Sequence, residues 1–300
     1  MRKQAITKDQ AVTGAQAVMR DQTATRSRVL LVSDLDGTLL GRDRQISEEN
    51  RRAIVDFVEK GGIFTIATGR SFVGVEKFLE ALPINAPAIL FNGAVIYDFQ
   101  KEQLLYESTM DEEIADLLEN LHSLFPEMGM EIFNREDIYL IRENDVTVEH
   151  RKRQPFSDRT FPIRGVPGPW YKALLAWEPE KLAEVERYLD GLNKPFHYLY
   201  TEKDMIEIVG RNTSKGIALE KLAALVGCEA SEVIAMGDNL NDLDMIEKAG
   251  TGIAVENAHD RVKAAASLCC RHHDRHAVSQ VIGWIQDNLV SEEKTWGKFG

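Results

Sequence analysis

The chain has 300 residues, of which 44% are apolar and 28% charged, and it carries a net charge of −12. That length accommodates one large domain or two ordinary ones, and no apolar run approaches the ~20 residues of a membrane span. The acidic balance argues against a nucleic-acid partner, whose footprint is a basic patch. Cys228, Cys269 and Cys270 are too few and too irregularly spaced for a disulfide framework, which points to a reducing cytoplasm.

The first 28 residues carry six Lys or Arg against two Asp and no apolar segment of the secretory kind. Residues 1–27 are therefore expected to form a flexible tail. Val29-Leu30-Leu31-Val32 is an apolar run of strand length, and it stops abruptly at Ser33-Asp34-Leu35-Asp36-Gly37-Thr38. Two carboxylates spaced i, i+2 lie on one face of a strand, and just past its end they can meet at one point. Such a pair repels itself unless a cation sits between the acids or one of them holds a proton. The segment suggests a magnesium-dependent, carboxylate-centred reaction.

Ser47-Glu48-Glu49 reads as a helix start, with a serine cap and acids in the first turn. Ile54, Phe57 and Val58 form its apolar stripe, and Gly61-Gly62 ends it. A strand over 63–67 stops at Thr68-Gly69-Arg70-Ser71, and a helix is expected over 72–82. Ala88-Ile89-Leu90-Phe91 is a third strand, and Asn92-Gly93 signals a hairpin returning through 94–97. Near residue 108 the alternation of strand and helix breaks. An acidic helix over 111–125, strands at 130–133, 137–141 and 171–176, and a helix from Pro179 to about Gly191 suggest an α+β insertion. The α/β pattern is expected to resume with a strand at 205–209, then a helix from Lys215 to Val226 closed by Gly227. The strand 233–236 ends in Gly237-Asp238-Asn239-Leu240-Asn241-Asp242, and a strand at 252–255 and a helix over 277–289 complete the order.

In a parallel sheet the carboxyl ends of all strands share one edge, so the loops after Val32, Ala67 and Met236 converge with the start of the Lys215 helix. The residue types suit phosphoryl transfer. A carboxylate can form an aspartyl phosphate, and a second can protonate the leaving oxygen and then activate water. Asp34, Asp36 and Asp238 could offer hard oxygens to Mg2+, with Asp242 holding its waters. Thr68, the Gly69 amide, Lys215 and Asn241 are suitable donors for a phosphoryl group.

These four segments, in this order around a cap-sized insertion, resemble the haloacid dehalogenase superfamily of phosphatases, and most closely its Cof-type branch with a C2B-type α+β cap. The resemblance covers roughly residues 28–290 and rests on Asp34-Leu35-Asp36-Gly37-Thr38, Ala67-Thr68-Gly69-Arg70, Ser214-Lys215-Gly216 and Gly237-Asp238-Asn239-Leu240-Asn241-Asp242. It implies a Rossmann-like parallel α/β core at 28–93 and 196–290, a cap at 94–195 and a C-terminal tail at 291–300. It also implies Asp34 as nucleophile and Asp36 as general acid/base. Leu35, Thr68, Gly69, Lys215 and Asn241 would then bind phosphate, and Asp34, Asp238 and Asp36 would bind Mg2+, the last through its main-chain carbonyl. Asp242 would stand behind the metal, with Arg70, Asn92 and Gly93 as candidate substrate contacts. The expected activity is hydrolysis of small phosphorylated metabolites, sugar phosphates above all, in the cytoplasm, without nucleic acid or membrane. A phosphotransferase or mutase and a non-catalytic sugar-phosphate sensor are the alternatives, and oligomeric state stays open. Within the cap, Arg142, Arg164, Trp170 and Lys172 are candidate specificity residues, while Tyr139, Trp170 and Trp177 read as core aromatics.

The family usually has a glycine before the last helix, where this chain has His276, so a positive φ without glycine is expected there. The run Cys269-Cys270-Arg271-His272-His273-Asp274-Arg275-His276 concentrates metal-ligating side chains. Its spacings match no common zinc pattern, so it reads as a surface loop.

Overall fold

The computed structural model describes residues 29–290 except 112, 155 and 193–195, with the backbone alone at 289–290. The tails expected at 1–27 and 291–300 lie outside the described residues. In chain order the elements are β1 (Leu30–Ser33), α1 (Glu48–Glu59), β2 (Ile63–Ile66), α2 (Phe72–Leu79), β3 (Ala88–Leu90), β4 (Val95–Asp98) and β5 (Gln103–Glu107). Then come α3 (Ile114–Leu124), β6 (Gly129–Asn134), β7 (Ile138–Arg142), α4 (Asp145–Arg153), β8 (Trp170–Ala176), α5 (Pro179–Asp190), β9 (Phe196–Glu202) and β10 (Met205–Gly210). The last are α6 (Lys215–Val226), β11 (Val233–Gly237), α7 (Leu243–Lys248), β12 (Thr251–Val255), α8 (Asp260–Ala265), β13 (Leu268–Cys270) and α9 (Ala277–Val290).

Five strands form a parallel sheet in the order β13-β12-β11-β1-β2. β1 lies between β11 and β2, with Ser33 level with both Met236 and Ile66. Leu30, Leu31 and Val32 are all fully buried, without alternation, as a central parallel strand requires. Each such side chain contributes about 1.5–3 kcal/mol on burial. A parallel bridge from Ala67 to Ile89 leads to a three-stranded antiparallel sheet, β3-β4-β5. The helix caps follow the sequence: Ser47 Oγ accepts the Asn50 N–H at α1, and Ser214 Oγ accepts that of Ile217 at α6. Gly61 and Gly227 take the left-handed conformation just past their helices. His276 does so before α9, at φ 57°, as expected of the residue standing where a glycine is usual.

The second sheet is antiparallel, in the order β7-β6-β8-β10-β9. The expectation that 205–209 resumes the parallel sheet is corrected here. Met205–Gly210 pairs with β8 and β9, placing Ile206 opposite Leu175 and Ile208 opposite Tyr198. Ile206 and Ile208 join a core with Leu118 and Leu121 of α3 and Leu182 and Val185 of α5. Met205 joins the main core instead. With both faces covered, the strand reads as an apolar run broken only by Glu207, close to the signature of a parallel strand. The antiparallel unit thus continues to Gly210, beyond the boundary expected at residue 195, and the chain re-enters the parallel unit at Lys215.

No helix among the described residues is long and apolar enough to cross a membrane. The hairpin at Asn92-Gly93 forms through three successive positive φ values, at Phe91, Asn92 and Gly93. Gly93 lies against the Ser214 carbonyl, which a β-carbon would overlap. Gly93→Ala is therefore expected to cost about 2–3 kcal/mol from backbone strain alone. Urea unfolding should show this as a lower midpoint with an unchanged m value.

Candidate active site

The aligned ends of β1, β2 and β11 bring three loops and the start of α6 together. The Asp34 N–H donates to the Met236 carbonyl at 2.9 Å, which ties the first acid to the neighbouring strand. Lys215, fully buried in the first turn of α6, donates through Nζ to Asp34 Oδ1 at 2.6 Å and to Asp242 Oδ1 at 2.5 Å. The other Asp242 oxygen accepts the N–H groups of Asp238 and Asn239 at 2.9 and 3.1 Å. Asp242 thus shapes the loop after β11 while it neutralises the lysine. Burial opposes the ammonium charge, yet Asp242 and Asp34 hold the Lys215 pKa above its ordinary value.

The remaining acids are in electrostatic excess. Burial pushes the Asp34 carboxyl up to about 7 against the pull of Lys215, and the charges of Asp242 and Asp36 add to the rise. Burial, then Asp34 and Asp242, raise Asp238 well above the usual carboxylate range. Oxygens of Asp34, Asp238 and Asp242 come within 4.8 Å of one another. Three acids face one ammonium group, and Asp238 Oδ1 receives the Thr38 hydroxyl at 3.1 Å. Gly37, at φ 83°, lets Asp238 approach, since a β-carbon there would lie 2.5 Å from Asp238 Oδ2. An all-oxygen group with surplus negative charge fits a hard divalent cation such as Mg2+.

Asp36 stands outside that group. Its carboxylate is held by Arg70 in a two-pronged pair, Nε to Oδ2 at 2.7 Å and Nη2 to Oδ1 at 2.6 Å. Arg70 is braced in turn by the Gly74 carbonyl and the face of Phe78. Burial pushes the Asp36 carboxyl up, but Arg70 overcomes it and holds the group below the usual range. Asp36 is the more exposed partner, with 52% of its side-chain surface open against 7% for Arg70.

The antiparallel unit closes over these loops. Lys172 of β8 donates to the Gly69 carbonyl at 2.8 Å and to Glu207 Oε1 of β10 at 2.7 Å. Asn92 Nδ2 donates to Glu207 Oε2 at 2.6 Å, and Asn92 Oδ1 accepts from Asn241 at 3.0 Å. Gln154 Oε1 accepts both the N–H and the hydroxyl of Ser71. Asn239 Nδ2 donates to the Thr201 carbonyl at 2.7 Å. Between the two units lies a cavity of about 100 Å³. Asp34, Asp36, Thr68 and Arg70 line it from below, and Arg153, Lys172, Thr201 and Glu202 from above. Two of its lining residues carry a buried polar atom without a protein partner, Nε of Arg153 and Oγ1 of Thr201.

The structure gathers most of the residues singled out from the sequence. Asp34, Asp36, Thr68, Gly69, Arg70, Asp238 and Asn241 line the cavity. Lys215 and Asp242 are joined to Asp34 from within the fold. The Leu35 side chain is wholly buried in the main core, so its backbone is what the loop can offer. Asn92 is fully buried and reaches the site through Glu207 and Asn241, while Gly93 packs on Ser214. Of the cap candidates, Lys172 lines the cavity, whereas Arg142 donates to the carbonyls of His122 and Phe125. Arg164 pairs with Asp116 and Glu119 at the surface. Tyr139 packs on Phe161 and Trp177 on Phe125, as core aromatics do. Glu207, Gln154, Arg153, Thr201 and Asn239 were not anticipated. For Glu207 there was a signal: a lone charge inside an apolar strand must find a partner if the strand is buried.

A family model for haloacid dehalogenase-like hydrolases matches residues 31–282. The 5-amino-6-(5-phospho-D-ribitylamino)uracil phosphatase YwtE of Bacillus subtilis is 34% identical over 86% of this chain and 96% of its own length. The pyridoxal phosphate phosphatase YbhA of Escherichia coli is 27% identical over 84% of this chain and 97% of its own. A crystal structure of a haloacid dehalogenase-like hydrolase from Bacteroides thetaiotaomicron superposes with a TM-score of 0.77 at 26% identity, covering 86% of this chain and 99% of that one. With the parallel core, the inserted antiparallel unit, and three loops and the start of α6 meeting around Asp34, the chain belongs to the haloacid dehalogenase-like hydrolases, as a phosphatase of their Cof-type branch.

Proposed function

We propose that this phosphatase is Mg2+-dependent and hydrolyses small sugar phosphates in the cytoplasm through an aspartyl-phosphate intermediate. The observation that carries the reading is that a lysine-anchored buried carboxylate, Asp34, and a separately held one, Asp36, share one polar cavity. Lys215 fixes Asp34 by Oδ1, which leaves Oδ2 for attack on phosphorus. In that step the Asp34–phosphorus bond forms and the bond to the leaving oxygen breaks, with Asp36 delivering a proton to that oxygen. Asp36 then takes a proton from water as the water attacks phosphorus and frees Asp34. Arg70 holds Asp36 below the usual carboxylate range, so Asp36 delivers its proton only after that pair opens, while Lys215 keeps Asp34 in place. Thr68, the Gly69 backbone and Asn241 would donate to the equatorial oxygens. Asp34 and Asp238, with the Asp36 carbonyl, would hold Mg2+, which neutralises phosphoryl charge when bound.

The cavity's composition supports a polyol as leaving group. Among the described residues its lining is polar apart from glycine and Met205, with the His150 imidazole as its one aromatic ring. Arg153 Nε and Thr201 Oγ1, lacking protein partners, are suited to sugar hydroxyls. YwtE carries a 5-phospho-D-ribityl substrate in its name, a phosphate borne on a polyol chain.

Two outcomes test this reading. Asp34→Asn should lower turnover of p-nitrophenyl phosphate by at least about 10³-fold, and Asp36→Asn of a sugar phosphate by about 10²–10⁴-fold. An unchanged rate in Asp34→Asn would remove the nucleophile. Thr201→Val and Arg153→Met should each raise KM for pentose and hexose phosphates by about fivefold to tenfold, the worth of one hydrogen bond. Steady-state kinetics with p-nitrophenyl phosphate, which has no sugar hydroxyls, should show a much smaller change.

A further inference from the structure

We propose that Lys172, on β8 of the antiparallel sheet, is a positioning residue for phosphoryl transfer: it orders the Thr68 hydroxyl as a donor, through the peptide between Gly69 and Arg70. The inference rests on the phosphatase mechanism above. Lys172 is only 1% exposed. Its ammonium group donates to the Gly69 carbonyl at 2.8 Å and to Glu207 Oε1 at 2.7 Å, and the face of Phe133 lies 4.3 Å away. These neighbours account for all three of its protons. Although Lys172 lines the cavity, it therefore acts on the loop after β2 and not on the substrate.

A trans peptide points its C=O and N–H in opposite directions. In the peptide that joins Gly69 to Arg70, Lys172 holds the carbonyl, and the N–H donates to Thr68 Oγ1 at 3.2 Å. Thr68 thus accepts from its own loop, and its hydroxyl proton meets no acceptor among the described residues. That proton is left for a phosphoryl oxygen. The charged donor on the carbonyl also polarises the peptide and strengthens its N–H. The preceding peptide is steadied by the partner of Lys172. There the Thr68 carbonyl accepts the Asn92 N–H at 3.0 Å, which turns the Gly69 N–H away from Asn92. Glu207 Oε2 fixes the Asn92 amide at 2.6 Å, and a β-carbon on Gly69 would lie 2.9 Å from that amide nitrogen. One buried ion pair grips both peptides that flank Gly69. An apolar pair of similar size would serve the sheet as well; what the charges add is the hold on this loop.

The test uses the full chain with Mg2+ and compares p-nitrophenyl phosphate with pentose and hexose phosphates. Lys172→Met keeps the side-chain length and removes the bond to Gly69. Lys172→Met combined with Glu207→Gln does the same without leaving a buried carboxylate unpaired, and the new amide can still meet Asn92. Both should lower kcat about tenfold to hundredfold on every substrate, with KM changed less than about threefold, because donors to the equatorial oxygens serve any leaving group. Thr68→Val should also lower kcat, and adding it to the double variant should cost less than the product of the separate losses. The proposal is overturned if a folded Lys172 variant keeps the parent kcat, even at a lower Tm, which marks a structural pair only. It is equally overturned if KM rises for sugar phosphates alone, which marks a substrate contact, or if the losses with Thr68→Val multiply in full. Asp34→Asn is the reference. Its inactivity beside fully active Lys172 variants faults this inference alone, whereas activity in Asp34→Asn faults the mechanism beneath it.

Discussion

The lysine between Asp34 and Asp242 is the constraint on which the site depends. A wholly buried ammonium costs several kcal/mol unless it is paired, and removing one partner of such a pair costs about 3–5 kcal/mol. Lys215 meets this with two carboxylates from different strand ends, so the loops after β1 and β11 and the first turn of α6 are mutually required. Ser214 caps that turn, and the bare backbone of Gly93 leaves room for it. Asp242 serves twice, since its second oxygen folds the Asp238 loop. What remains unbalanced is the charge of Asp34 and Asp238, and that imbalance is the site's capacity for a divalent cation.

The same economy links the two sheets. Lys172 and Glu207 form a buried pair within the antiparallel sheet, yet each also holds the parallel unit, one through Gly69 and the other through Asn92. Asn92 passes the contact to Asn241 in the loop after β11. The cavity roof is therefore fastened to two of the loops that form its floor. Asp36 lies aside from this lattice, with Arg70 as its partner and open space beside it, a position suited to a group that exchanges protons.

The parallel core and its loops were legible because each strand is an apolar run ending in polar residues, and the order of those endings fits a single sheet edge. Caps and stops were legible for the same local reason, down to the positive φ at His276. The roof was harder to read. Met205–Gly210 is buried on both faces, so its composition could not distinguish an antiparallel cap strand from a parallel core strand. α4 is polar nearly all round, and its start is marked by the Asn144–Thr147 capping box, which lacks an acidic third residue. The cavity residues Arg153, at the end of α4, and Thr201 and Glu202, at the end of β9, come from two distant elements, and no spacing along the chain unites them. The 269–276 run stood out in the sequence for its metal-ligating side chains, yet its spacings match no common zinc pattern.

In the proposed mechanism the Lys215-anchored Asp34 carries the phosphoryl group. The most direct test is acid quenching during turnover of a substrate labelled with ³²P, followed by peptide mapping. Label, stable to acid and lost in base, is expected on the peptide containing Asp34, with none in Asp34→Asn. Turnover with label on another residue, or undiminished label in Asp34→Asn, would contradict it.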